Sequence, residues 1–139
     1  MTLRFLLDTS VVSEPALASP NTRLIRRLEQ RAGQYAIASL VWHELLYGVE
    51  RLPVGKRRSI LEFYVQSVIS DRFPILPYDL RAAEWHARER VRLEASGKAT
   101  PFIDGQIAAI ACTQNLVLVT SNTRHFVAFH DLEVADWSQ

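Results

Sequence analysis

Three acidic residues, Asp8, Glu44 and Asp104, stand in stretches that are otherwise apolar. Asp8 directly follows Phe5, Leu6 and Leu7, so it ends a run that reads as a buried strand. Taken alone, it is also a natural cap for a helical segment beginning at Thr9. On a helix, Glu44 has Leu40, Val41, Tyr47 and Gly48 at three- and four-residue spacing, which places it on the face expected to pack inward. A buried carboxylate without a partner is strongly unfavourable or takes up a proton, so an arginine partner or a helix rotated toward solvent are the structural alternatives. Asp104 opens a helix whose next inward positions are Ile107, Ala108 and Ala111. The helix dipole is a sufficient structural reason for an acid there. Acids gathered at one place repel and raise one another's pKa, so such a cluster calls for a cation. Oxygen ligands favour magnesium or manganese over zinc or copper. A hard cation in an acidic cleft suits phosphate chemistry, because it polarises the phosphoryl oxygen and acidifies a bound water.

The elements that must position these acids are short apolar strands alternating with helices. Strands are expected at Arg4 to Leu7, Tyr35 to Ala38, Leu116 to Thr120 and Leu132 to Ala135, with a weaker one at Phe73 to Leu76 that Pro74 keeps at the periphery. Asn21 or Thr22 caps a helix carrying Leu24, Ile25 and Leu28, and Ser39 caps one running through Val49. Beyond Pro53 and Gly55, the residues Ile60, Leu61, Tyr64, Val65 and Val68 mark another helix. Asp79 caps a long one that Gly97 stops, Pro101 precedes one from about Ile103 to Gln114, and Phe126 to Phe129 reads as a short helical turn. Strand and helix in alternation imply an α/β fold, a central, mostly parallel β-sheet flanked by helices on both faces. In such sheets ligands bind beyond the carboxyl ends of the strands, where Asp8 and the segment after Thr120 both fall.

The 139 residues are 48% hydrophobic and 22% charged, as in an ordinary globular chain, and are read as a single domain over 1–139. A formal net charge of +1 is not the profile of a chain that grips nucleic acid by bulk charge alone. Arg23, Arg26, Arg27 and Arg31, and the run Lys56, Arg57, Arg58, read as solvated helix faces, with a binding patch the alternative only where they flank a site that needs phosphate. No membrane-length apolar run or export signal is expected, and the single cysteine, Cys112, reads as a small core residue in a reducing cytoplasm.

The runs LLDTSVVSE around Asp8, SLVWHELLYGVER around Glu44, PFIDGQIAAIA around Asp104 and LVLVTSNTRHF around Asn122 resemble the PIN-domain nucleases. More narrowly, they are similar to the VapC and FitB toxins of bacterial type II toxin–antitoxin systems. Four motifs in order, from first strand to last, carry the likeness. It implies a PIN-like fold and a magnesium- or manganese-dependent endoribonuclease, cytoplasmic, whose catalytic, metal-binding carboxylates are Asp8, Glu44 and Asp104. Thr9 and Ser10 match the hydroxyl positions beside the first acid, and Thr120 the one ending the fourth strand. Many relatives carry a fourth acid two residues after that threonine; here the position is Asn122, which implies one firmly held metal in the free enzyme. Arg124 and His125 are candidates to neutralise substrate phosphate.

The same likeness implies an RNA substrate, a small cognate antitoxin and a second copy of the chain as partners, with DNA reached only through the antitoxin and no membrane. Among Trp42, Tyr47, Phe63, Tyr64 and Trp85, some are expected to line the antitoxin groove or homodimer contact, and others the core. A PIN-fold binding module with weak or no turnover is the alternative. A phosphorylated signalling domain is disfavoured, since it requires an acidic pair near the first strand and a lysine after a late strand.

Overall fold

Phe5, Leu6 and Leu7 are buried, as are Ala36, Ile37 and Ala38, and Leu118 and Val119. Successive strand residues point to opposite sides, so both faces of the sheet are covered, as an all-parallel sheet requires. The computed structural model describes residues 2–139. Its five strands are β1 (Phe5–Leu7), β2 (Tyr35–Ala38), β3 (Ile75–Leu76), β4 (Val117–Val119) and β5 (Val134–Ala135), in the order β3-β2-β1-β4-β5. Every neighbouring pair is parallel, and Leu7 is level with both Ile37 and Val119. The carboxyl ends of the three central strands therefore finish flush. The chain moves from β1 outward through β2 to β3, then returns past β1 to β4 and β5. Right-handed crossovers in the two directions put helices on opposite faces and make the end of β1 the switch point.

Helix α1 (Thr9–Val12) starts directly after β1, with the Asp8 side chain accepting from Thr9 N. Helix α2 (Thr22–Gln30) is capped by Asn21, whose Oδ1 accepts from Leu24 N at 3.0 Å. Helix α3 (Ser39–Glu50) grows straight out of β2; Ala38 holds the cap position, and Ser39 is its first helical residue, not the expected cap. Helix α4 (Lys56–Phe63) passes through a π-helical turn (Tyr64–Ile69) into α5 (Ser70–Arg72). There the Tyr64 hydroxyl donates to Val12 O at 2.6 Å, tying that turn to the end of α1. Helix α6 (Leu80–Ala95) is capped by Asp79, and Gly97, at φ +70°, supplies the left-handed turn that ends it. Helix α7 (Phe102–Thr113) leads into β4 and so runs antiparallel to it, its amino end at the carboxyl edge of the sheet.

Two further expectations are corrected. Phe126 to Phe129 is not helical: the helical turn falls earlier, at Thr123–His125, and Phe126 and Phe129 follow it as buried anchors. Cys112 is half-buried at the back of α7, outside the core, its thiol directed at Asp131 O. The segment after the turn is fastened to α6 by Glu89, whose carboxylate takes both Arg92 nitrogens at 2.8 Å and His130 N at 2.9 Å. Arg92 holds Glu89 below the usual carboxylate range, and also donates to Ala128 O. No helix among the described residues is long and apolar enough to cross a membrane.

Candidate functional site

Asp8, Thr120, Glu44 and Asp104 reach one region from four elements. Asp8 follows β1 and Thr120 follows β4, level with it; Glu44 lies in the second turn of α3, and Asp104 in the first turn of α7. Asp8 is held from both sides. Its Oδ1 accepts from Thr9 N at 2.8 Å, and its Oδ2 accepts from the Thr120 hydroxyl at 2.7 Å. Thr120 is fully buried, and its Oγ1 accepts in turn from Asn122 N at 3.0 Å. Asp8 is thus both the helix cap and a fixed carboxylate, so its two readings are compatible. Replacing Thr120 by Val keeps the shape and removes both hydrogen bonds. We expect this to cost about 2 kcal/mol in urea unfolding, with Thr120→Ser close to wild type. Equal stability of Thr120→Val would mean that something else orients Asp8.

Glu44 corrects the inward-facing expectation. The buried stripe of α3 is Val41, Leu45 and Val49, and Glu44 sits beside it, half-buried, with Tyr47 in solvent. Burial raises its pKa from the ordinary value, and the charges of Asp8 and Asp104 raise it further, against smaller lowering effects of Thr9 and His43. Asp104 is raised by burial and, more weakly, by Asp8, against the lowering effect of His125. Among the described residues no Lys or Arg pairs with any of the three acids. The alternative in which each acid has its own arginine is therefore excluded there.

These raised values have a signed consequence. A folded state that holds protons more tightly than the unfolded chain loses stability as pH rises. In chelator, the contribution of Glu44 and Asp104 should decline as pH rises above their ordinary values of 4.5 and 3.8. Magnesium should offset the decline. Thermal melts from pH 4 to 7 with and without magnesium read this out; coincident curves would show that the acids do not share a cation.

Two buried oxygens here lack hydrogen-bond partners, Thr9 Oγ1 and Asp104 Oδ2. Thr9 lies close enough to Glu44 to lower its pKa. His125 Nδ1 stands 3.2 Å from Asp104 Oδ2, a distance at which a protonated ring pairs by charge. Ser10 Oγ accepts from Ser121 N at 3.2 Å, which joins the loops after β1 and β4. Arg124 and Asn122 are exposed, and the Asn122 side chain does not cap the turn that follows it. Among the described residues no group of three or more Asp, Glu, His or Cys side chains stands close enough together to hold a metal ion as placed. The donor set fits a hard cation in kind: all-oxygen, mutually repelling, with an orphaned buried carboxylate oxygen. Its openness suits magnesium, which keeps several of its waters and binds through one or two carboxylates.

Sequence reasoning missed what sets the start of α7. The His86 ring, 4% exposed on α6, packs where a Cβ on Gly105 would lie, and Tyr78 Oη is 3.2 Å from its Nδ1. A glycine next to Asp104 was the available signal, but it gains meaning only once its neighbour on α6 is known.

The family model described as PIN domain matches residues 5–131, a span that holds all three acids. A tRNA(fMet)-specific endonuclease VapC of Shigella flexneri is 31% identical over 137 residues, covering 98% of this chain and 99% of the relative. Toxin FitB of Neisseria gonorrhoeae is 33% identical over 126 residues, covering 88% of this chain and 91% of the relative. The solved structure of DNA-bound VapBC from Salmonella typhimurium aligns with a TM-score of 0.85 at 29% identity, covering 97% of this chain and 98% of the other.

Proposed function

We propose, for a chain that belongs to the PIN-domain family, the activity of a magnesium- or manganese-dependent endoribonuclease serving as the toxin of a toxin–antitoxin pair. The observation that carries this reading is the electrostatic one: Asp8 raises Glu44 and Asp104, and Asp104 raises Glu44, with only the imidazoles of His43 and His125 to oppose them and no Lys or Arg paired with any of the three among the described residues. The names of the relatives, an endonuclease and a toxin, support it.

In this reading Asp8, Glu44 and Asp104 hold the ion, which when bound neutralises phosphate charge and lowers the pKa of water. Asp8, with one hydrogen bond on each oxygen, keeps a single orientation and has lone pairs to spare on both. Asp104 offers its unpartnered Oδ2. Glu44, the acid with the most like-charged neighbours, is suited to take the proton of the attacking water at its carboxylate. The orphaned Thr9 hydroxyl, with Ser10, is available to position that water or a phosphate oxygen. His125 is placed to face substrate phosphate beside Asp104, whereas Arg124 makes no ion pair among the described residues and keeps only its exposed position in favour. With Asn122 in place of an acid, one ion suffices in the free enzyme.

The partners follow as part of the same proposal: RNA as substrate, a small antitoxin, a second copy of the chain, and DNA through the antitoxin. The DNA-bound VapBC relative supports them. Tyr47 and Phe63, 59% and 68% exposed, are available to such a contact, while Trp85 packs on Phe129 and Tyr64 on α1. Cleavage of total bacterial RNA with magnesium, against chelator and an Asp8→Asn control, tests the reading. Binding without cleavage would favour the module with little turnover, for which the neutral Asn122 is the one argument.

A further inference from the structure

The ring of Phe102 is unused by the mechanism above. It is the first residue of α7 and is 50% exposed. It is also not an isolated surface aromatic. The Arg90 guanidinium lies over it, Cζ 5.0 Å from the ring centroid, and the His86 ring is 5.0 Å away at 58°. Arg90 is oriented by its Nε, which is 3.2 Å from Glu94 Oε2. Beside this stack is a cavity of about 180 Å³, bounded among others by His86, Arg90, Leu93, Thr100 and Phe102. That is below the roughly 300 Å³ at which pockets for drug-sized ligands begin, so it suits one small planar group. An aromatic face and a guanidinium plane are the surfaces on which unpaired bases stack, and the buried His86 ring backs them from within.

Its place relative to the acids matters as much as its chemistry. Phe102 precedes Asp104 by two residues, about 200° round the helix. A strand whose phosphate sits at Asp104 therefore crosses the amino end of α7 to reach it. We infer that Phe102 and Arg90 form a subsite for one unpaired RNA base, across the amino end of α7 from the phosphodiester held at Asp104. The inference rests on the nuclease reading for its substrate, and it adds a base-binding element to a site otherwise built to hold phosphate.

The test uses single-stranded oligoribonucleotides carrying a fluorescent adenine analogue, whose emission is quenched by stacking, added to the full chain in chelator. Quenching by the wild type is expected. Phe102→Leu keeps apolar bulk but lacks the aromatic face; it should weaken binding about five- to a hundredfold, and Phe102→Trp should restore it. Arg90→Gln, at an exposed position, reads the same stack from its other side. With magnesium, Phe102→Leu should raise KM and leave kcat near wild type. Unchanged quenching and KM in Phe102→Leu would overturn the subsite. Quenching that depends on Phe102 in a chain that never cleaves RNA would leave the subsite standing and sink the nuclease reading instead.

Discussion

Asp104→Asn is expected to reduce magnesium-dependent RNA cleavage about a thousandfold or more, the scale seen when one preorganised charged or polar group is removed from an active site. It should raise the melting temperature of the metal-free protein at the same time, by a few degrees. Both effects have one cause. Asp104 is half-buried, its charge is penalised by that burial more than the His125 ring relieves it, and Asp8 adds a repulsive charge. An amide of the same shape removes that repulsion, and with it the negative charge that would hold a cation. Rate and stability moving in opposite directions is a signature that a merely structural aspartate lacks. A variant keeping a tenth of the wild-type rate, or one that melts lower, would take Asp104 out of the machinery.

Gly105→Ala should have the largest effect on the fold, about 3 kcal/mol, or roughly 10 °C in melting temperature for a chain of this size. The added methyl overlaps the His86 ring, which cannot retreat because it is buried and held between Tyr78 and Phe102. Displacement falls on the first turn of α7, where Asp104 sits, so cleavage should fall along with stability. Adding His86→Ala removes the obstacle. The double variant should therefore be more stable than the sum of the two single losses allows, the non-additivity of residues in contact. Additive losses would show that the glycine serves some other purpose.

The periodicity of apolar residues was enough to place every strand to within a residue or two and all the long helices, because burial on both faces leaves short unbroken hydrophobic runs. Caps with free side-chain oxygens, Asn21 and Asp79, were legible for the same local reason. Ser39 was misread because a helix that begins without a turn after β2 leaves no room for a capping residue of its own. Glu44 was misread because a count of apolar neighbours does not locate the centre of a stripe. Val41, Leu45 and Val49 turn inward, and the acid stands at their edge.

What the chain's order of residues determined alone was the alternation of elements and the place of Asp8 at a strand end, since each depends on contacts between residues close in sequence; the proposal of Asp8, Glu44 and Asp104 as the site acids leans on the likeness of four motifs. Tertiary structure alone decided that Thr120 locks Asp8 across 112 positions, that His125 faces Asp104, and that among the described residues no arginine pairs with the acids. It also decided that His86 needs a glycine beside Asp104 and that Arg90 lies over Phe102. The physical reason is common to all of these. Electrostatic and steric terms act over a few ångströms whatever the sequence separation, so a local pattern cannot carry them until parallel strands bring distant loops to one edge.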